Sequence, residues 1–196
     1  MTSMRKREDA ILDAARQCIE AFGVRRTTLT DVARRAGVSR PTVYRHWSDI
    51  SSLVADLLTR ELRTVFDACA LQADEATARE RLIHQCAGTV GALWAHPLFN
   101  RFVDTETDVL ATYVFHRFGS SQRAALDLIR AEIDAGRTDG SIRKDDAERL
   151  ARIVLLTVQS VATSRRLVAD TLTDDRLLDE LRLLLDGYLR PLEATR

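Results

Sequence analysis

Residues 28–47 read TLTDVARRAGVSRPTVYRHW and lay two short helices around a glycine turn. Thr28 is a good N-cap, and Asp31, three residues on, sits where a capping-box acid reaches back to it. Leu29, Val32, Ala33 and Ala36 then recur at helical spacing, which predicts a helix of about two turns with one apolar stripe. Gly37 ends it, because glycine tolerates the left-handed backbone that a tight turn between packed helices requires, and Val38 plugs the angle behind it. Ser39 caps a second helix whose one firmly apolar inward residue is Val43. Arg40, Pro41, Thr42, Tyr44, Arg45 and His46 are left to face outwards, so this helix is displayed. Pro41 costs little at the second helical position, since first-turn amides have no intrahelical partner to lose.

Working outwards, a first helix is predicted from near Met4 to Phe22, burying Ile11, Leu12, Ala15, Ile19 and Phe22, with Gly23 to close it. It braces the displayed helix. Its Arg5, Lys6 and Arg7 suit phosphates or a minor groove, or equally a plain solvated start, since charged termini are common. Beyond the pair, Trp47 anchors the end of the second helix against the next one. Asp49 is placed to cap a long helix through Leu53, Val54, Leu57, Leu58, Leu62, Val65 and Phe66.

Charge separates the two ends of the chain. Residues 1–50 hold ten Lys and Arg against six acids, a net +4, while the remainder holds 19 against 23, a net −4. The overall balance of zero therefore hides a basic head on an acidic body, the asymmetry expected when one end meets phosphate and the other does not.

At residues 28–47 the chain resembles the TetR/AcrR family of one-component bacterial transcriptional repressors. That family's pattern runs threonine, aliphatic, any residue, aspartate, aliphatic, alanine, then alanine-glycine-valine-serine, and ends on threonine, aliphatic, tyrosine, histidine and an aromatic. The resemblance is close from Ile11 to Leu57 and extends over the rest only in general organisation. It implies an all-α protein of about nine helices, with a three-helix, helix-turn-helix DNA-binding head over residues 1–50. Residues 51–196 would form a helical body that binds an effector and dimerises. The implied partners are double-stranded operator DNA, a small-molecule effector and a second copy of the chain. Thr28, Thr42, Tyr44 and His46 fall on family positions that mostly hold phosphates. Arg40 is the choice for base reading, since its fork bonds both acceptors of a guanine, and Pro41 offers an apolar surface to a thymine methyl. Ser39 and Arg45 complete that face, and Thr30, on the outer side of the preceding helix, reaches base or backbone. Where the family usually has a phosphate-binding lysine near the start of the long helix, this chain has Ile50. That contact is either missing or supplied by a neighbour such as Arg45.

Length and composition set the other bounds. With 196 residues, 45% of them hydrophobic, the chain buries a real core, and only three prolines and eight glycines punctuate it. No stretch sustains period-two alternation, which favours an all-α reading. No apolar run is long enough to span a membrane, and the start MTSMRKREDA lacks the apolar centre of a signal peptide, so a cytoplasmic protein with no membrane partner is expected. Cys18, Cys69 and Cys86 have no metal-ligand spacing and suit a reducing compartment.

In the body, helices are expected over Glu75 to Trp94, Leu98 to Val103 and Thr105 to Phe118, then from the Gly119-Ser120-Ser121 segment to the GRTDGSIR loop. Two more are expected over Asp145 to Val168 and Asp174 to Leu189. Six of the eleven aromatics fall between Trp94 and Phe118. Such a cluster suits a solid core or an effector cavity; the resemblance favours the cavity, lined by Cys86, Trp94, Phe102 and Tyr113, with Gln159 and Thr163 as polar anchors. A thiol sensor at Cys86 is the less favoured alternative. Apolar residues spread widely around the last two helices need partners on two sides. Val154, Val158, Val161, Leu177, Leu181, Leu184 and Tyr188 are therefore assigned to a four-helix dimer interface, as the resemblance implies. The alternative is a monomer that buries both faces.

Catalysis has little support: the chain lacks a glycine-rich phosphate loop, HExxH, GxSxG and CxxC. His84, His96 and His116 show no metal-ligand pattern, and no cofactor is expected. The expected function is a dimeric repressor released from a palindromic operator by a small, largely apolar effector. An activator, a ligand-independent DNA-binding protein or, less favoured, a helical enzyme carrying a DNA-binding head remain open.

Overall fold

The computed structural model describes residues 2–69, 77–105 and 120–192, which contain nine α-helices and no strand. They are α1 (Thr2–Phe22), α2 (Leu29–Arg35), α3 (Arg40–His46), α4 (Ile50–Ala68), α5 (Ala78–Ala95), α6 (Pro97–Thr105), α7 (Ser120–Asp139), α8 (Ala147–Ser164) and α9 (Asp174–Leu189). The helix expected from Thr105 to Phe118 lies, apart from its first residue, outside the described residues. The helix expected as Asp145 to Val168 changes pitch: α8 stops at Ser164 and a short 3-10 turn, Arg165–Val168, continues it.

Packing groups the described residues into two compact units, those of 1–61 with 96–121 and those of 62–95 with 122–196. Residues 51–61 and α6, which a boundary at 50/51 leaves in the body, thus pack with the head. In the first unit, Ile11, Leu12, Ala15 and Ile19 of α1 meet Leu29, Val32 and Ala33 of α2, Val43 of α3 and Leu53, Val54 and Leu57 of α4. Leu98 and Phe102 of α6 complete this core. Burial of these side chains is the main force holding the head, at about 1.5–3 kcal/mol for each large apolar group. Phe22, expected inside, is 55% exposed, because it is the last residue of α1 and Gly23 (φ 85) turns the chain away behind it.

In the second unit, α5 packs along both α8 and α9, and α8 packs on α9. Polar side chains set the ends of these helices. Thr77 and Glu80 cap α5 reciprocally, Asp146 caps α8 through the Arg149 amide, and Thr173 caps α9 through the Arg176 amide. The loop after α7 is fastened on two sides. Asp139 accepts from the Ala78 amide at 2.9 Å, and the Arg143 amide donates to the Leu189 carbonyl at 2.8 Å. Gly136 must lack a side chain here, since a Cβ would lie 2.5 Å from the Ile142 side chain.

Candidate functional site

The head builds its outer face from local rules. Thr28 accepts the Asp31 amide at 3.1 Å while the Asp31 carboxylate accepts the Thr28 amide at 3.2 Å and its hydroxyl at 2.6 Å, a complete capping box. Gly37 lies at φ 66 with open space where a Cβ would stand, so it is the backbone angle and not crowding that calls for glycine. Ser39 then caps α3 through the Thr42 amide, with the Ser39 and Thr42 hydroxyls 2.8 Å apart. Only Val43 of α3 is buried. Arg40, Pro41, Tyr44 and Arg45 are exposed, Thr30 and Thr42 half-buried, and Thr28 and Ser39 exposed at the turns. The side chains assigned to DNA therefore lie on α3 and at the N-terminal ends of α2 and α3.

Several of them already have partners. The Thr28 hydroxyl serves the capping box. His46 places Nδ1 3.2 Å from Glu8 of α1, so that nitrogen is engaged within the head. Arg34 pairs with Asp31 at 2.7 Å. The Thr28 hydroxyl holds the Asp31 carboxyl below the usual carboxylate range, so it stays ionised at neutral pH. At the start of α4, Asp49 accepts the Ser52 amide at 2.7 Å as expected of a cap, and this bond lowers its carboxyl too. Ile50 is half-buried against the head core, so the position where the family has a phosphate-binding lysine contributes packing instead. Trp47 reaches its anchor: its indole N–H donates to Asp56 of α4 at 2.8 Å.

Residues 11–57 match the family described as bacterial regulatory proteins of the tetR family. An uncharacterised HTH-type transcriptional regulator of Mycobacterium tuberculosis is 38% identical over 179 residues, covering 91% of this chain and 92% of its own. The chain belongs to the TetR family. It is a DNA-binding transcriptional regulator. The HTH-type transcriptional repressor KstR2 of Rhodococcus jostii is 25% identical over 190 residues, 94% of this chain and 92% of that one. The fold also matches the transcriptional regulator FadR of Bacillus subtilis, solved in complex with stearoyl-CoA, at TM-score 0.63 and 16% identity over 91% of this chain and 97% of that one.

In this TetR-family chain the described residues assigned to an effector divide between the two units. Phe102, 1% exposed, packs in the core of the head among α1, α2 and α4 residues, and it is withdrawn from the lining. Tyr113 lies outside the described residues. Cys86 and Trp94 are buried in the second unit, and the Trp94 indole N–H donates to the Ala162 carbonyl at 3.0 Å with Arg165 stacked 5.4 Å from its ring centre. Cys86 is buried, and burial pushes its thiol up to about 12, which favours the protonated form and weighs against the sensor alternative. The Thr163 hydroxyl donates to the Gln159 carbonyl at 2.9 Å, so it is engaged within α8.

Position on the helix corrects part of the dimer set as well. Val154 and Leu181 are fully buried within this chain, which leaves them no surface to offer a second copy. Val158, Val161 and Leu177 are half-buried, and Tyr188 is half-buried beneath Arg143, 4.5 Å from its ring centre. Leu184 is exposed, and so are Ile153 and Leu156 of α8 and Leu183 of α9, which sequence periodicity alone did not single out. One polar group was missed entirely. Thr89 of α5 is 3% exposed and its hydroxyl has no hydrogen-bond partner among the described residues. Nothing in the sequence marks it, because a threonine mid-helix usually bonds the carbonyl one turn back. Among the described residues no group of His, Cys, Asp and Glu is arranged to hold a metal, and no helix is long and apolar enough to cross a membrane.

Proposed function

We propose that this regulator is a dimeric repressor that leaves a near-palindromic operator when a small, largely apolar molecule enters its second unit. The observation that carries the DNA end is the display of α3, with one side chain buried and Arg40, Pro41, Tyr44 and Arg45 exposed. Two such helices in a symmetric dimer dock in successive major grooves, with half-sites about 34–36 Å apart. Dimerisation is supported by Ile153, Leu156, Leu183 and Leu184, large apolar groups left uncovered on two helices that pack together. The effector is supported by Thr89, whose buried hydroxyl costs stability until something accepts or donates a hydrogen bond to it. Thr89 takes the anchor role first given to Thr163. The repressor name of KstR2 favours negative control, and the stearoyl-CoA bound to FadR favours an effector that carries an apolar chain. Effector and operator then weaken each other reciprocally, by a coupling on the order of 1–3 kcal/mol.

The test begins with a duplex enriched on the full chain from a random-sequence pool. Expected are a two-fold symmetric consensus, a dimer in sedimentation, and release of the duplex by at least one of a panel of fatty acids, acyl-CoA thioesters and sterols. Replacing Leu156 and Leu184 together with Glu should yield monomers and abolish tight binding. A double variant that stays dimeric sinks the interface, and a panel with no effect on the complex sinks the effector class.

A further inference from the structure

The recognition helix α3 is about two turns long, too short to persist without tertiary support, and Val43 alone gives it a core contact. Its angle is therefore set from its ends. At the C-terminal end the support is Trp47, 4% exposed, whose amide caps the helix on the Val43 carbonyl at 3.0 Å. A buried indole still has one N–H to satisfy. That N–H reaches Asp56 Oδ2 at 2.8 Å, nine positions along the chain, from the end of α3 to the second turn of α4. The acceptor is a carboxylate that keeps contact with water, so the bond is charge-assisted without the cost of burying the charge.

We propose that Asp56 is a positioning residue for operator binding: through the Trp47 indole, it fixes the angle at which α3 is presented. The sign of its effect separates this role from simple electrostatics. Removing an acid from a head that meets phosphate relieves repulsion and tightens binding. Removing a positioning carboxylate weakens it. The two effects oppose each other, so the direction of change decides between them.

Asp56→Ala, Asp56→Asn and Trp47→Phe are to be compared in the full chain by fluorescence anisotropy. The probes are a labelled duplex enriched on the wild-type protein and a scrambled duplex of the same length. Asp56→Ala should weaken the enriched duplex roughly tenfold, the scale of one charge-assisted hydrogen bond, while the scrambled duplex binds equally or more tightly. Asparagine keeps an acceptor oxygen in place and should restore most of the affinity. Trp47→Phe should reproduce the alanine loss, and combining the two should add nothing, because both remove the same bond. Independent of DNA, the Trp47 indole proton should resist hydrogen exchange in wild type and in the asparagine variant, and lose that protection with alanine at 56. An Asp56→Ala protein that holds the enriched duplex as tightly as wild type overturns the proposal, as does an asparagine variant as weak as alanine. If the alanine variant does not fold, Trp47→Phe decides alone, and unchanged affinity there has the same consequence.

Discussion

α3 and α5 solve opposite problems. α3 has seven residues with one buried, and it is held by what happens at its ends: the Ser39 cap, the Trp47 anchor and the Glu8–His46 pair. α5 has eighteen residues with nine buried, and it is held along its flanks by α8 and α9. A helix fixed at its ends leaves its sides free to recognise something. A helix fixed along its sides supports the fold, and any function it has must come from the few positions where packing is imperfect.

The sharpest way to break this contrast is to exchange the two kinds of loss. Leu82 of α5 is fully buried, so Leu82→Ala should cost about 2–5 kcal/mol of stability in chemical denaturation. A cost within a few tenths of a kcal/mol would mean that α5 is loosely held. Arg40→Ala should instead leave the denaturation midpoint unmoved and lose roughly 1–3 kcal/mol of operator affinity, with relaxed preference at one G·C pair in each half-site. Titrations against single-base variants of the enriched duplex read this out. Unchanged preference at every position would remove Arg40 from base reading.

Legibility in the sequence followed the same division. The capping box at Thr28 and Asp31, the turn at Gly37 and the caps at Ser39 and Asp49 all join residues within a few positions of one another, so short-range rules reach them. The partner of Trp47 stands nine residues away and that of Trp94 stands 68 away, distances over which periodicity carries no information. Phe102 was misplaced for a related reason. An aromatic cluster along the chain says nothing about which core each ring joins, and α6 packs on α1. In α8 and α9 apolar residues surround the helix, so whether Val154 or Leu156 turns outwards depends on neighbours that sequence spacing cannot name.

Thr89 sharpens the comparison from the side of α5. A buried hydroxyl without a partner is a defect for stability, and replacing it with the isosteric methyl of valine removes the desolvation cost. Thr89→Val should therefore leave stability unchanged or raise it by about 1 kcal/mol, leave operator affinity alone, and weaken effector-induced release. A clear fall in thermal stability would show that the hydroxyl has a partner in solution and that its role is structural.

The comparison extends to α2, the head's other short helix, which is also held at its N-terminus. Thr28→Ala should cost about 0.5–2 kcal/mol through the lost cap. The charge behind that cap gives it a pH signature. The Thr28 hydroxyl, ahead of the Thr28 amide and Arg34, lowers the folded-state pKa of Asp31 below its ordinary value. A carboxyl whose pKa is depressed on folding stabilises the fold above its unfolded pKa, and that contribution disappears as pH falls through the folded one. Wild type should accordingly exceed Asp31→Asn in thermal stability at neutral pH, and the gap should close only below the usual carboxylate range. Asp49, Glu80 and Asp139 are lowered in the same way, so the absolute curves all fall in acid, and it is the difference between the two proteins that isolates Asp31. A gap that persists unchanged into acid would assign the effect to geometry at the turn, with the carboxylate's charge playing no part.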